Sequence, residues 1–178
     1  TYHMARIPHW IQNQNVQPYA TNITRQIYQP PFSGYVILNL QLLSGTDRLA
    51  NLVQLGSFSL IPIITAGIIS FFTQRKITYG IGVILSLTLP MAILQSTSTQ
   101  NDLILSLLVL IAIVLLLEFR KNQKSSTAVF FAIAIGLAIR TKGTSYIALA
   151  FLCIWFGLLI VQQIRKNKAF KFIWLRIP

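Results

Sequence analysis

Gln95-Ser96-Thr97-Ser98-Thr99-Gln100-Asn101-Asp102 is a polar loop that runs directly into Leu103-Ile104-Leu105-Ser106-Leu107-Leu108-Val109-Leu110-Ile111-Ala112. The apolar run continues without a charge to Leu117, and a second uncharged run, Ile77 to Gln95, leads into the loop from the other side. Two such runs on either side of a short polar loop read as membrane helices joined at one face of a bilayer. Asp102 is one of only three acidic residues in the chain. Pressed against the start of an apolar helix, its carboxylate is partly desolvated, so its position calls for a physical reason.

Composition agrees with the membrane reading. The 178 residues are 54% hydrophobic and only 10% charged, against about 25% charged in ordinary soluble domains. A net charge of +12 would suggest nucleic acid in a soluble chain. Here the basic residues fall in short clusters between apolar runs, which points to topology signals and lipid headgroups. No basic stripe is interleaved with aromatics as nucleic-acid binding requires, so no nucleic-acid partner is expected. The single cysteine, Cys153, excludes an intrachain disulfide and a cysteine metal cluster, and reads as lipid- or core-facing packing.

Outward from the loop, the expected architecture is all-α and integral to a membrane. Residues 1–48 form an interfacial segment and residues 49–178 a bundle, with spans at 49–72, 77–95, 103–117, 127–139 and 146–163. In the first segment, Met4, Ile7, Trp10 and Ile11 share a helical face, which predicts an amphipathic helix in the interface with Pro8 near its middle. The uncharged stretch from Gln12 to Thr24 suits hydroxyl groups. Gln29-Pro30-Pro31-Phe32-Ser33-Gly34 is a turn signal, and Tyr35 to Ser44 predicts a second amphipathic helix too short to span. The chain opens at Thr1 in a polar segment and stops just after a basic cluster, so it is expected to be a piece of a longer protein.

Orientation follows from the basic residues. Arg75, Lys76, Arg120, Lys121 and Lys124, together with the cluster from Arg165 to Arg176, lie on one side of these spans. Arg6, Arg25, Arg48, Arg140 and Lys142 lie on the other, poorer side. The positive-inside rule puts that poorer side outside the cytoplasm, together with the N-terminal segment and the loop before Asp102. Asp102 reads first as a helix N-cap, a role compatible with contacting a sugar hydroxyl or a divalent metal ion. Asp47 reads as a turn residue paired with Arg48. Arg140 and Lys142, with Gly143 beside them, are either snorkelling interfacial cations or contacts for a phosphate. His3 and His9 are either structural or ligands and acid–base groups. Trp10, Tyr19, Tyr28 and Tyr35 are most simply an aromatic belt.

Four stretches in order carry a resemblance: Tyr2-His3-Met4-Ala5-Arg6-Ile7-Pro8-His9-Trp10, Thr24-Arg25-Gln26-Ile27-Tyr28-Gln29-Pro30-Pro31, Thr97-Ser98-Thr99-Gln100-Asn101-Asp102, and Gly136-Leu137-Ala138-Ile139-Arg140-Thr141-Lys142-Gly143-Thr144. Together they resemble the N-terminal half of a GT-C glycosyltransferase, most nearly the bacterial branch related to protein O-mannosyltransferases and aminoarabinose transferases. The resemblance implies a multi-span bundle with interfacial helices in the first extracytoplasmic loop. It also implies transfer of a sugar from a polyprenyl-phosphate donor to a lipid, glycan or protein acceptor, usually with inversion, at the outer face of a bacterial inner membrane. Asp102 then matches the family's acidic position, as the candidate catalytic carboxylate or a supporting residue. Arg140, Lys142, Arg6 and His3 become the candidate substrate and phosphate contacts, and a divalent metal ion on Asp102 the candidate cofactor. The family's catalytic acid in the first loop would fall at or before Thr1 and is not in this sequence, so this stretch alone is expected to be inactive.

Displacement of a polyprenyl phosphate also asks for such groups on chemical grounds: a carboxylate to take the acceptor proton and cations to stabilise the departing phosphate. The main rival is a transporter or lipid flippase, whose broken helices at Pro62, Pro90 and Gly143 would line a path and place polar groups deep in the spans. A non-catalytic assembly subunit is a third reading.

Overall fold

The computed structural model describes residues 2–166, and among them only helices and connecting turns occur. Three short helices come first: α1 (Tyr2–Gln12), α2 (Arg25–Tyr28) and α3 (Phe32–Ser44). A 3-10 turn over Asp47–Leu49 then leads into α4 (Leu52–Ser70), α5 (Lys76–Thr88), α6 (Pro90–Ser96), α7 (Asp102–Asn122), α8 (Ser125–Ile139) and α9 (Ser145–Lys166).

Three segments are long and apolar enough to cross a membrane: Asp47–Ser70, Asp102–Asn122 and Ser145–Arg165. The expected second span is broken, since α5 and α6 meet at an angle of 58°. Pro90 is the cause. It has no N–H to continue the ladder, and it forces Leu89 out of helical geometry to ψ 113°. The Thr88 hydroxyl reaches back to the Ile84 carbonyl at 2.8 Å and, at 3.4 Å, to that of Leu85 beside the break. The expected fourth span is α8, which has 15 residues and stops at Arg140.

α7 is the centre of the bundle, packed by α4 on one side and by α8 and α9 on the other. Its Ala112 and Leu116 are fully enclosed, and Ala134 and Ala138 of α8 let that helix approach closely. Phe156 of α9 closes the far end between Phe119 and Phe131, with ring centroids 5.0 and 4.4 Å away. Large apolar side chains remain exposed on the outer faces, among them Ile81 and Ile84 of α5, Phe130 of α8 and Ile154 of α9. A surface of that kind is stable against lipid and not against water.

α1–α3 form a cap on one end of this bundle. α1 presents Ile7 and Trp10 inward, as its periodicity predicts, and the Trp10 ring lies over Gly34, where an added Cβ would stand 3.4 Å away. Ile11, expected on the same face, is 41% exposed at its edge. α3 begins at Phe32, three residues before the predicted Tyr35, directly after Pro30-Pro31. It ends where Gly45 adopts a left-handed φ of 67°, a conformation other side chains resist. The Phe32 N–H donates to the Arg140 carbonyl at 2.9 Å, which ties the cap to the turn between α8 and α9. That turn, the loop before α7 and the cap therefore share one end, while the α4–α5 and α7–α8 turns share the other.

Candidate ligand-binding cavity

Between the cap and the α8–α9 turn lies a cavity of about 440 Å³. Arg6 and Trp10 of α1 reach it, as do Tyr19, Gln26 and Gln29 of the segment around α2, Tyr35 of α3, and Arg140 and Tyr146 beside the turn. Two arginines line it, and no carboxylate does. The remainder of the wall is mostly tyrosine, glutamine and proline, a set that offers ring faces and uncharged hydrogen-bonding groups. Such a wall suits an anion joined to a hydroxyl-rich body.

The two arginines are held differently. Arg6 is only 4% exposed. Its Nη2 donates to the Gln29 carbonyl at 3.1 Å, and its guanidinium carbon lies 5.4 Å from the centre of the Trp10 ring. Arg140 is exposed, on a turn whose backbone is fixed from several sides. Its carbonyl accepts from Phe32, the Thr141 carbonyl accepts from Asn101 Nδ2 at 2.8 Å, and the Thr141 hydroxyl donates to Leu137 at 2.7 Å. A mobile surface cation would lose entropy on binding a phosphate; a cation on a braced turn loses less.

Gln26 orders the loop wall by accepting from the Tyr19 hydroxyl at 2.9 Å and from Thr21 Oγ1 at 3.0 Å. His9 stacks on Tyr19 with ring centroids 4.1 Å apart. Burial pushes the Tyr19 phenol above its ordinary pKa of 10.0, against the smaller opposing pull of the Arg6 charge. The phenol keeps its proton, which it gives to Gln26, and its oxygen remains free to accept.

The sequence-predicted site residues divide. Arg6 and Arg140, far apart in the chain, are brought to one cavity. Lys142 is not with them: its ammonium is paired with Asp102 Oδ1, and the two side chains are 25% and 31% exposed. Gln95 Nε2 approaches the other carboxylate oxygen at 3.5 Å. The N-cap of α7 is Asn101, not Asp102, and the Asn101 side chain reaches across to Thr141 instead of capping its own helix. Asp102 sits one position later, where its charge still favours the positive end of the helix. The side chain of His3 lies outside the described residues. Among the described residues no group of three or more histidine, cysteine, aspartate or glutamate side chains gathers to hold a metal. Asp102, with a lysine as its partner, does not fit a metal site. The Asp47–Arg48 pair also fails to form, Thr46 Oγ1 accepting from the Arg48 N–H in the 3-10 turn. Cys153 is exposed on α9.

Sequence reasoning missed the convergence of Tyr19, Tyr35 and Tyr146 with Gln26 and Gln29. The signal for them was the Pro30-Pro31 pair, which turns the chain so that α2 folds back over the α8–α9 turn. No protein-family model, curated protein or solved structure matches the chain.

Proposed function

We propose that this chain forms the donor-binding face of an integral-membrane glycosyltransferase of GT-C type, holding a polyprenyl-phosphate-linked sugar at the extracytoplasmic side. The observation that carries the reading is the convergence of Arg6 and Arg140 on a cavity that lacks carboxylates, at the end of the bundle poor in basic residues. Arg140 takes the donor phosphate with Arg6 behind it, the glutamines and the Tyr19 hydroxyl meet sugar hydroxyls, and the aromatic rings cover the sugar faces. The polyprenyl chain leaves along the apolar outer faces of α8 and α9.

In the transfer step an acceptor oxygen attacks the anomeric carbon, the bond from that carbon to the phosphate oxygen breaks, and polyprenyl phosphate departs with the electron pair. A base takes the acceptor proton. The two arginines serve the departing phosphate. The base is not among the lining residues, and Asp102, held by Lys142, acts as a brace for the Arg140 turn.

Buried polar side chains also weigh against the transporter reading. Gln54, Asn101, Thr141 and Ser145 are enclosed within the first turn of a helix or at a cap, at the same end as the cavity; Ser57, one turn deeper in α4, donates to the Val53 carbonyl of its own helix, and Thr127 lies in the first turn of α8 at the opposite end. A transport path asks for such groups at mid-membrane.

The test is binding of a polyprenyl-phosphate hexose to the chain in nanodiscs, followed through Trp10 emission. Arg140→Gln is expected to weaken it about tenfold, the loss of one charge-assisted contact. The matching polyprenol without phosphate should bind at least as poorly, and Lys142→Ala should weaken binding less than Arg140→Gln. Unchanged affinity in Arg140→Gln removes the phosphate role and the reading with it.

A further inference from the structure

The opposite end of the bundle carries a second, chemically different cavity. It measures about 320 Å³ and is lined by Phe71 and Phe72 at the end of α4 and by Leu117, Arg120 and Lys121 at the end of α7. We propose that it binds an anionic glycerophospholipid, the headgroup phosphate on Arg120 and Lys121 and an acyl chain against Phe71, Phe72 and Leu117. This inference is independent of the donor-binding reading, since no residue is shared between the two cavities.

Three observations lead to it. First, cations from three separate elements converge on this end: Arg75 and Lys76 of the α4–α5 turn, Arg120, Lys121 and Lys124 around the α7–α8 turn, and Arg165 at the end of α9. The α9 end is brought there by Gln163, whose Nε2 approaches the Gln123 carbonyl at 3.5 Å. Glu118 is the one carboxylate near them, and its Oε1 is engaged by Asn122 Nδ2 at 2.6 Å. Charge complementarity therefore favours an anion here. Second, the cavity joins charge to hydrocarbon within one wall. Phe72 is 72% exposed beside the exposed Arg120 and Lys121, while Leu117 forms a buried floor. A free phosphate would use only the cations and leave the phenyl rings in water, whereas a phospholipid uses both. Third, the turn is held by its own hydrogen bonds. The Tyr79 hydroxyl donates to the Thr73 carbonyl at 3.0 Å, Gln74 Nε2 to the Ser70 carbonyl at 3.0 Å, and the Arg75 N–H to Thr73 Oγ1 at 3.2 Å. The rings and cations are thus presented at the height where headgroup meets acyl chain, on the side that the positive-inside rule assigns to the leaflet rich in anionic lipid.

Native mass spectrometry of the whole chain tests it, released from detergent with dioleoyl phosphatidylglycerol or dioleoyl phosphatidylcholine. Phosphatidylglycerol is expected to be retained at least tenfold more strongly. Arg120→Gln/Lys121→Gln is expected to lower its affinity about thirtyfold, the effect of two basic residues at an anionic surface. Arg120→Lys/Lys121→Arg should restore it, and Arg48→Gln, an exposed cation at the other end that lines neither cavity, should leave it unchanged. Phe71→Ala/Phe72→Ala should weaken the dioleoyl lipid but not its dihexanoyl counterpart. All substituted side chains but Phe71 are exposed, so an unchanged melting temperature without lipid is expected and verifies the fold. Equal retention of the two lipids, or full retention by the glutamine pair, overturns the proposal. Competition by inorganic phosphate at millimolar concentration would assign the cations to a free anion and overturn it as well.

Discussion

Replacing Asn101 by alanine probes the joint on which the candidate site rests. Asn101 is 1% exposed and Thr141 is fully enclosed, and the Asn101 amide donates to the Thr141 carbonyl at 2.8 Å across 40 residues of chain. In Asn101→Ala that carbonyl loses its donor in a place water reaches poorly, at a cost of about 1–3 kcal/mol. Two features limit the loss. Asn101 Oδ1 is itself buried without a protein partner, and deleting it recovers about 1 kcal/mol. The side chain makes no cap bond to its own helix, so the usual penalty of about 1 kcal/mol for losing an N-cap does not apply. The net expectation is destabilisation by up to about 2 kcal/mol. Asn101→Asp should cost at least as much, because it removes the donor and sets a carboxylate against the Thr141 carbonyl. Reversible unfolding in mixed micelles, read by tryptophan emission, measures both. Hydrogen exchange supplies a local reading, with the Lys142 and Ser145 amides expected to exchange faster in the alanine variant. A change in stability within about 0.5 kcal/mol for Asn101→Ala, with no change in exchange, would refute the claim that this bond braces the turn.

Other features give their own tests. The Asp102–Lys142 pair is partly exposed on both sides, so a double-mutant cycle with Asp102→Asn and Lys142→Met should return about 0.5–1 kcal/mol and fall with added salt. A coupling several times larger would mean a desolvated pair. At Gly82 an added Cβ would stand 2.2 Å from Ile69 Cδ1. The tip of Ile69 can turn aside for Gly82→Ala, which should be nearly neutral, whereas Gly82→Leu should cost about 1–3 kcal/mol in the same unfolding assay. Burial holds the Tyr19 phenol above its ordinary pKa. The folded state therefore binds the proton more tightly than the unfolded one, and this contribution is complete below about pH 10 and lost as pH rises past it. Tyrosinate absorbance should lose a late-titrating component in Tyr19→Phe.

The long apolar helices were legible because span length and absence of charge follow from bilayer thickness, and α7 and α9 lie where their runs of Leu, Ile, Val and Phe put them. α1 was legible from the spacing of Ile7 and Trp10. The break at Pro90 was visible as a proline, but its angle is a matter of packing against α4 and α7. α2 escaped notice because four residues show no periodicity. Lys142 shows the limit at the site. Its place beside Arg140, on the side poor in basic residues, left it either a snorkelling cation or a phosphate contact, yet Asp102, 40 positions upstream, is its partner. Charge and hydropathy mark which residues are unusual, while tertiary contact decides whom they meet. The same limit hid the cavity: Tyr19, Tyr28 and Tyr35 read singly as an interfacial belt, and Tyr146 as the start of a span.

The brevity of α8 has a consequence for the membrane itself. Its 15 residues rise about 22 Å, while the hydrocarbon layer is about 30 Å thick. Set across a bilayer, α8 would require the surrounding lipids to compress or tilt, and the bilayer would dip where Arg140 closes the helix. That dip would bring the headgroup plane down toward the cavity mouth and shorten the climb for any lipid-borne phosphate entering it. It would also favour thin membranes, so chains reconstituted in mixed-thickness vesicles should gather where the acyl chains are shortest.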